Sequence, residues 1–162
     1  MRERQAIHRP HVLIVSDDPG LVGFLGEGLI YAGFWTSVIA SAFQALEVFR
    51  LRSFDLILLD AALGGMGAPE LLRRLRGQSD RATRTPRTDI PLFLIAGSPR
   101  EAADIASEAD GADGVLAAPL ELEDLAPQLL ATVQAWRARH PDRLWADAAA
   151  LAGVEPTSGK PT

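Results

Sequence analysis

The chain has 162 residues, of which 48% are hydrophobic, and its formal net charge is −5. This length suits one compact domain with a single core, and the negative charge gives no general basis for binding nucleic acid, which needs a cationic face. No cysteine is present, so disulfides, thiolate metal sites and cysteine nucleophiles are excluded. No apolar run reaches the roughly 18 residues of a membrane span and no signal-peptide core is found, so we expect a soluble, cytoplasmic protein.

The first third of the chain predicts two strands and two helices in alternation. The apolar run 12–15 predicts a buried strand, after which Asp18 is placed to cap a helix. The apolar residues of this helix recur at helical spacing: Leu21, Phe24, Leu25 and Leu29. A second strand is predicted over 36–39. Ser41 and Gln44 then have the spacing of a capping box and begin a second helix. Its expected apolar face is Phe43, Leu46, Phe49 and Leu51.

The middle of the chain predicts a third strand followed by a glycine-rich turn. Residues 55–59 carry hydrophobic side chains for both faces, as expected for a central parallel strand covered by helices on each side. Asp60 stands at the carboxyl end of this strand. The glycines within 64–67 lead into a helix that ends near Arg76. The segment 77–89 is polar and rich in arginine, which predicts an exposed loop.

The last third predicts two more strands and two helices. A fourth strand covers 91–95, and Ser98 is placed to cap the helix that follows. A short fifth strand at 115–117 precedes a long helix near 121–139. The apolar residues of this helix are Leu122, Leu125, Leu129, Val133 and Trp136. One more short helix is predicted from Leu144, Trp145, Ala148 and Leu151, before a tail that we expect to be flexible.

Five strands that alternate with helices predict a parallel sheet covered by helices on both faces, because each parallel crossover needs a helix. In open sheets of this type, ligands bind at the carboxyl ends of the strands. Asp17 and Asp18 follow the first strand, and Asp60 ends the third. Carboxylates gathered there would repel one another unless a proton or a hard cation such as magnesium relieved the charge. A carboxylate beside magnesium can attack a phosphoryl group, although strand-end aspartates are also ordinary caps and turn formers.

Four motifs, in this order along the chain, resemble a response-regulator receiver domain: VLIVSDDP at 12–19, FDLILLD at 54–60, IPLFLI at 90–95 and GADGVLAAP at 111–119. The resemblance implies a doubly wound, flavodoxin-like α/β fold with five parallel strands in the order 2-1-3-4-5, to which this chain adds a short C-terminal helix. The corresponding division is an N-terminal extension at 1–9, a receiver domain at 10–139 and a C-terminal extension at 140–162.

The resemblance also implies a function in two-component phosphorelay signalling. In this family a histidine kinase passes a phosphoryl group to the aspartate of the third strand, here Asp60, while magnesium is held by the acids after the first strand. Asp17 matches the usual direct metal ligand, and Asp18 matches a more variable acidic position. Asp60 is therefore the candidate phosphoacceptor, and Asp17, Asp60 and, more weakly, Asp18 are the candidate metal ligands. An enzymatic activity is not expected.

Four positions depart from the receiver pattern. Ser16 replaces the first acid of the cluster, which weakens the expected magnesium site without excluding it. Ala96 replaces the hydroxyl residue at the end of the fourth strand, and Ala118 replaces the lysine before the proline that follows the fifth. An alanine methyl can neither donate a hydrogen bond nor carry a charge. Val115 stands where an aromatic residue is common. We therefore expect the usual phosphorylation switch to be broken.

Two functions remain open: a phosphoacceptor phosphorylated on Asp60 by a histidine kinase, and a pseudo-receiver whose partner contacts do not depend on phosphorylation. The lost positions favour the pseudo-receiver. Ser98, two residues beyond Ala96, is a candidate replacement for the lost hydroxyl, although a helix cap explains it better, and Arg100 offers a cation from the same loop. An unrelated α/β enzyme has little support, because no phosphate-binding glycine loop follows the first strand.

Charge is distributed unevenly along the chain. Between Glu101 and Trp136 there are eight acidic residues and no lysine or arginine, whereas Arg73 to Arg87 contains six arginines and one acid. In receivers, the face of the fourth helix, fifth strand and fifth helix often mediates dimers or output contacts, and here it falls in the acidic stretch. We expect a protein partner: a histidine kinase, a phosphotransfer protein, a downstream effector, or a second copy bound through this face. Nucleic acid and membranes are not expected as partners.

Overall fold

The computed structural model describes residues 8–79 and 87–147. Five strands are present: β1 (His11–Val15), β2 (Trp35–Ile39), β3 (Leu56–Asp60), β4 (Leu92–Ala96) and β5 (Gly114–Ala117). The helices are α1 (Pro19–Tyr31), α2 (Ala42–Leu51), α3 (Ala68–Leu75), α4 (Pro99–Ile105), which continues into a 3₁₀ turn at Ala106–Glu108, and α5 (Leu122–Arg139). No helix in these ranges is long and apolar enough to cross a membrane.

The five strands form one parallel sheet in the order β2-β1-β3-β4-β5, as predicted. In the register, Val15 lies beside both Ile39 and Leu59, and Asp60 lies beside Ile95. The strands therefore end at one common edge, and the residues that follow β1 and β3 are brought side by side there.

Both faces of the sheet are covered, which explains why the central strands are mostly apolar. Every residue of β3 and β4 is buried. One core cluster joins Leu13 and Val15 of β1 to α2 and α3, and the other joins Val12 and Ile14 to α1 and α5. Trp136 on α5 is also buried, in agreement with its predicted place in the core, and its indole N–H donates to the carbonyl of Asp89. Alternate side chains of β1 thus hold the two helical layers onto one sheet.

The predicted helix starts are confirmed at three places. The carboxylate of Asp18 accepts hydrogen bonds from the first turn of α1, and the hydroxyls of Ser41 and Ser98 accept from the first turns of α2 and α4. The N–H of Ala40 donates to the side chain of Gln44, and the N–H of Gly97 donates to that of Glu101. Each of these bonds reaches one residue further back than in a standard capping box.

The predicted apolar faces of α1 and α2 are partly wrong. Phe43 and Leu51 are 65% and 76% exposed, and Phe24 is 41% exposed. The buried face of α2 consists of Ala42, Ala45, Leu46 and Phe49. Two alanines let the helix approach the sheet closely. Leu51 follows Phe49 by two positions and therefore points to the opposite side of the helix.

Two other predicted segments fall partly outside the described residues. Of the arginine-rich loop, residues 80–86 are not described. At its end, Arg87 and Asp89 are exposed as predicted, whereas Thr88 is buried and its N–H donates to the carbonyl of Leu75. Of the short C-terminal helix, Ala146 and Asp147 are helical and the remainder lies beyond the described ranges, while Trp145 packs against the core under α1 and α5.

Candidate functional site

The candidate site lies where β1 and β3 end beside each other. Ser16, Asp17 and Asp18 follow β1, and Asp60 is the last residue of β3. Because Val15 pairs with Leu59, the next residue of each strand meets at the edge of the sheet. The structure thus brings Ser16 and Asp60 into direct contact, as the alternation of strands and helices predicts for the ends of these two strands.

Asp60 is held on both carboxylate oxygens by donors from the protein. The Ser16 hydroxyl donates to Oδ2 at 2.7 Å, and the N–H of Ala62 donates to Oδ1 at 2.9 Å. Ser16 and Asp60 are 2% and 7% exposed. The Ser16 oxygen in turn accepts the N–H of Asp18 at 3.1 Å. A chain of hydrogen bonds therefore connects the turn after β1 to Asp60 through an uncharged side chain.

The three carboxylates do not gather around one point. Asp18 turns toward its own helix, where Oδ1 accepts the N–H of Gly20 at 2.9 Å. Asp17 is exposed and reaches toward the turn after β3: a Cβ added at Gly64 would lie 3.5 Å from its Oδ2. Within the described ranges, no three His, Cys, Asp or Glu side chains are grouped so that they could hold a metal ion. The expected convergence of Asp17, Asp18 and Asp60 is therefore not formed.

The residues present do not fit a preformed magnesium site. A vacated metal site leaves buried ligand oxygens without partners, but in the part of the chain described here every buried side-chain nitrogen and oxygen has a hydrogen-bond partner. Asp60 already accepts from Ser16 and Ala62. A carboxylate oxygen can accept two contacts, so magnesium at Oδ2 would share that oxygen with the Ser16 hydroxyl. Magnesium prefers oxygen ligands, and Asp17 and Asp60 remain the two candidate carboxylate ligands.

The lost switch positions lie next to one another across β4 and β5. Ala96 pairs with Ala117, and the N–H of Ala118 donates to the carbonyl of Ala96 at 2.9 Å. The peptide bond from Ala118 to Pro119 is cis. Both side chains are methyl groups, so this side of the site offers neither a hydroxyl nor a cation. Val115 is half-buried and packs against the core.

The loop after β4 also carries the carboxylate of Glu101. Glu101 accepts the N–H of Gly97, directly after Ala96, at 2.9 Å. Ser98 is held as the cap of α4, with its oxygen accepting the N–H of Glu101 at 3.1 Å, and Arg100 is exposed. The structure thus supports the cap as the explanation of Ser98. The charge of Glu101 beside this loop is negative, which is unfavourable for an approaching phosphoryl group.

The glycines after Asp60 form a turn, as predicted. Gly65 and Gly67 have φ values of 70° and 82°, in the region that favours glycine. Gly67 directly precedes α3, which begins at Ala68. These glycines explain how the chain reverses from β3 into α3.

A second buried carboxylate, Asp55, lies at the opposite edge of the sheet and was not among the predicted site residues. Its oxygens accept the N–H of His11 at 2.8 Å and the N–H of Ala146 at 3.1 Å, and Arg137 Nη1 lies 4.0 Å from Oδ1. Burial raises the pKa of Asp55 to about 6, although the two N–H donors and Arg137 oppose this shift. An acid directly before an all-apolar strand was the signal available in the sequence. Asp55 ties the segment after α5 to the start of β1.

Comparison with known proteins identifies the family. A family model for the response regulator receiver domain matches residues 12–130, which is more than half of the chain. The chain belongs to this family. Among curated proteins it is 37% identical over 95 residues to the DNA-binding response regulator MtrA of Mycolicibacterium smegmatis, an alignment covering 56% of this chain and 42% of MtrA. The chain thus spans less than half of that relative's length.

Solved structures agree with the receiver fold. The signal receiver domain of a histidine kinase from Syntrophus aciditrophicus is 26% identical and superposes with a TM-score of 0.63, covering 78% of this chain and 91% of that domain. The receiver domain of the sensor kinase PA1611 from Pseudomonas aeruginosa has a TM-score of 0.65 over 78% of this chain and 99% of its own, and it holds magnesium in its active-site cleft. At 19% identity, this second likeness bears on the fold alone.

Proposed function

We propose that this chain is a receiver module of a two-component phosphorelay system that acts through protein contacts, with weak or no phosphorylation switching. The observation that carries the proposal is the hydrogen bond from Ser16 to Asp60. A neutral hydroxyl takes the place beside the candidate phosphoacceptor where the receiver pattern has the first acid of its cluster. The aspartate is thereby satisfied without a cation.

The energetics of the opposite side of the site support weak switching. A hydrogen bond to a charged group contributes about 1.5–3 kcal/mol. Ala96 and Ala118 remove two such donors, which together amount to several kcal/mol of phosphoryl stabilisation. A decisive shift of a two-state equilibrium requires about 5.5 kcal/mol of differential binding. A phosphoryl group on Asp60 would therefore lack most of the contacts that could report its presence to the rest of the domain.

The proposed partner is a protein: a histidine kinase, a phosphotransfer protein or a downstream effector. The face formed by α4, β5 and α5 is the proposed contact surface, including a possible contact with a second copy. Residues 10–139 are the proposed receiver unit. We propose that this unit has no enzymatic turnover of its own and is located in the cytoplasm. MtrA is named as DNA-binding, but the net charge of −5 favours a protein partner for this chain.

The alternative proposal is a working phosphoacceptor, phosphorylated on Asp60 by a histidine kinase with magnesium. Its support is positional: Asp60 ends β3 at the edge where β1 also ends, and Asp17 lies close by, next to Gly64. Both proposals assign the chain to the receiver family. They differ in whether Asp60 is phosphorylated and whether its phosphorylation changes the domain.

One experiment separates them. The full chain is incubated with magnesium and acetyl phosphate, and intact mass is measured together with hydrogen exchange of α4 and β5. The matched control is Asp60→Asn, which removes the nucleophile and keeps the shape. No stable mass increase, or an increase without altered exchange, agrees with the pseudo-receiver. A stable phosphoryl adduct that is absent in Asp60→Asn and accompanied by altered exchange in α4 and β5 would establish the alternative.

A further inference from the structure

An open groove with an apolar floor and a basic rim lies between the start of α2 and α3. It has a volume of about 560 Å³ and is lined in part by Phe43, Met66 and Arg73. Phe43 is largely exposed, although it is an aromatic residue with large apolar area. The rim also holds Arg74 and Glu70. Hydrogen bonds from Arg74, Ser79 and Arg73 lower the pKa of Glu70 to about 2, so two guanidinium groups face one carboxylate and a positive charge is left in excess.

A second groove, of opposite charge, lies at β5 and the start of α5. It has a volume of about 460 Å³, and its floor includes Pro119, Leu120 and Leu125. Glu121 and Asp124 form its rim. No cation occurs in the sequence between residues 101 and 136, and among the described residues neither acid takes part in a salt bridge. The rim is therefore negative, and no cation within 8–79 or 87–147 forms a salt bridge with it.

These charges argue against a two-fold dimer in which the acidic groove faces its own copy. Such a contact would place Glu121 and Asp124 against identical carboxylates, and like charges opposed across an interface cost several kcal/mol. The basic groove facing itself would likewise oppose Arg73 to Arg73. Only the pairing of the basic groove with the acidic groove places opposite charges together, and the two grooves share no residue.

We infer that the basic groove of one copy binds the acidic groove of a second copy, with Phe43 packed against Pro119 and Leu120 and with Arg73 facing Glu121. This inference rests on the proposed function, because it names the partner of a module that acts through protein contacts. It replaces the symmetric use of the α4, β5 and α5 face by a contact between two different surfaces. An apolar centre with a charged rim and an exposed aromatic anchor has the composition of a protein interface.

The test is a charge exchange measured by sedimentation velocity over a range of protein and salt concentrations, without phosphodonor. The parent is expected to self-associate at low salt and to dissociate as salt rises. Arg73→Glu and Glu121→Arg are each expected to weaken association at least tenfold. Mixing the two variants in equal amounts, or combining both changes in one chain, is expected to restore it. Circular dichroism confirms that each variant is folded.

Two controls separate the grooves from general charge effects. Arg139→Glu and Glu27→Arg make the same changes of charge at exposed positions outside both grooves and should leave association within twofold of the parent. Phe43→Ala should weaken association at least fivefold while keeping its salt dependence. A parent that stays monomeric under all conditions, a mixture that does not recover, or controls that act like the groove variants would each overturn the inference. None of these results affects the mass measurement on Asp60, so the proposed function is judged separately.

Discussion

The hydroxyl of Ser16 donates to Oδ2 of Asp60 at 2.7 Å, and both side chains are buried at the edge of the sheet. This single bond changes the electrostatics of the site. A carboxylate at position 16 would oppose the charge of Asp60 and would call for a cation or a proton, whereas a hydroxyl donates and leaves one negative charge fewer. The serine therefore lowers the negative charge beside Asp60.

Substituting Ser16→Asp is expected to create magnesium binding. The new carboxylate would lie beside Asp60, and magnesium would relieve their repulsion. Magnesium at 100 times its dissociation constant should raise the free energy of unfolding of the variant by about 2.7 kcal/mol. The midpoint of thermal unfolding should rise with it. Ser16→Asn, which has a similar shape and no charge, is the matched control. Equal magnesium stabilisation of the parent and of Ser16→Asp would contradict the role assigned to Ser16.

The two phenylalanines of α2 are expected to differ sharply in their effect on stability. Phe49 is 4% exposed in the core, whereas Phe43 is exposed. Phe49→Ala should lower the free energy of unfolding by about 3–5 kcal/mol through lost burial and cavity formation. Phe43→Ala should change it by less than about 1 kcal/mol. Urea unfolding followed by tryptophan fluorescence measures both, and similar losses for the two variants would show that α2 is rotated relative to this description.

Two glycines of α1 are expected to respond differently to alanine. A Cβ at Gly23 meets no atom within 4 Å, so Gly23→Ala should stabilise the helix by about 0.5–1 kcal/mol. A Cβ at Gly28 would lie 2.2 Å from Cδ1 of Leu122, so Gly28→Ala should lose that gain or become destabilising. In the Leu122→Ala background, Gly28→Ala should recover the gain. The free energy of unfolding of all four variants tests this, and an unchanged effect of Gly28→Ala in that background would rule out the contact.

Asp55 is expected to make stability depend on pH. Its pKa of about 6 in the folded protein lies above the ordinary aspartate value of 3.8, so the folded state binds this proton more tightly. The stabilising contribution is thus complete below about pH 4 and is lost as pH rises through 6. Relative to Asp55→Asn, the free energy of unfolding of the parent should fall by up to about 3 kcal/mol between pH 4 and pH 7. Urea unfolding across this range measures the difference.

Asp104→Asn, a change at an exposed aspartate, is the control for the pH series. The groups that face Asp55 are the backbone N–H of His11 and the guanidinium of Arg137, with Asp147 nearby, and all of them are retained in both proteins. A difference between parent and Asp55→Asn that is constant from pH 4 to pH 7 would mean that Asp55 titrates normally in the folded protein.

The strands and the caps were predictable because their causes are local. Asp18, Ser41 and Ser98 cap helices through bonds within three residues, and β3 reads as a buried strand from its composition alone. The exposure of Phe43 was not predictable, because apolar residues fall on more than one side of α2 and only packing against the sheet selects one.

The candidate site was predictable in place but not in detail. Adjacent strand ends brought Ser16 beside Asp60, as parallel topology requires. Sequence spacing does not reveal that Asp18 turns to its own helix, because the same carboxylate serves equally as a cap or as a ligand. The contact of Asp55 with Ala146 joins residues 91 positions apart, and no local pattern encodes such a distance.

His8 and Asp147 lie 3.1 Å apart, and the ring of His8 stacks on that of Trp145. The chain thus enters and leaves the described domain at nearly the same point, held there by contacts around Asp55. Because the two ends lie close together, the domain can be inserted into a surface loop of another protein without distorting either connection. A fluorescent protein with residues 8–147 inserted into a surface loop should fold together with the inserted domain. A circularly permuted form that joins positions 147 and 8 by a short linker should fold as well.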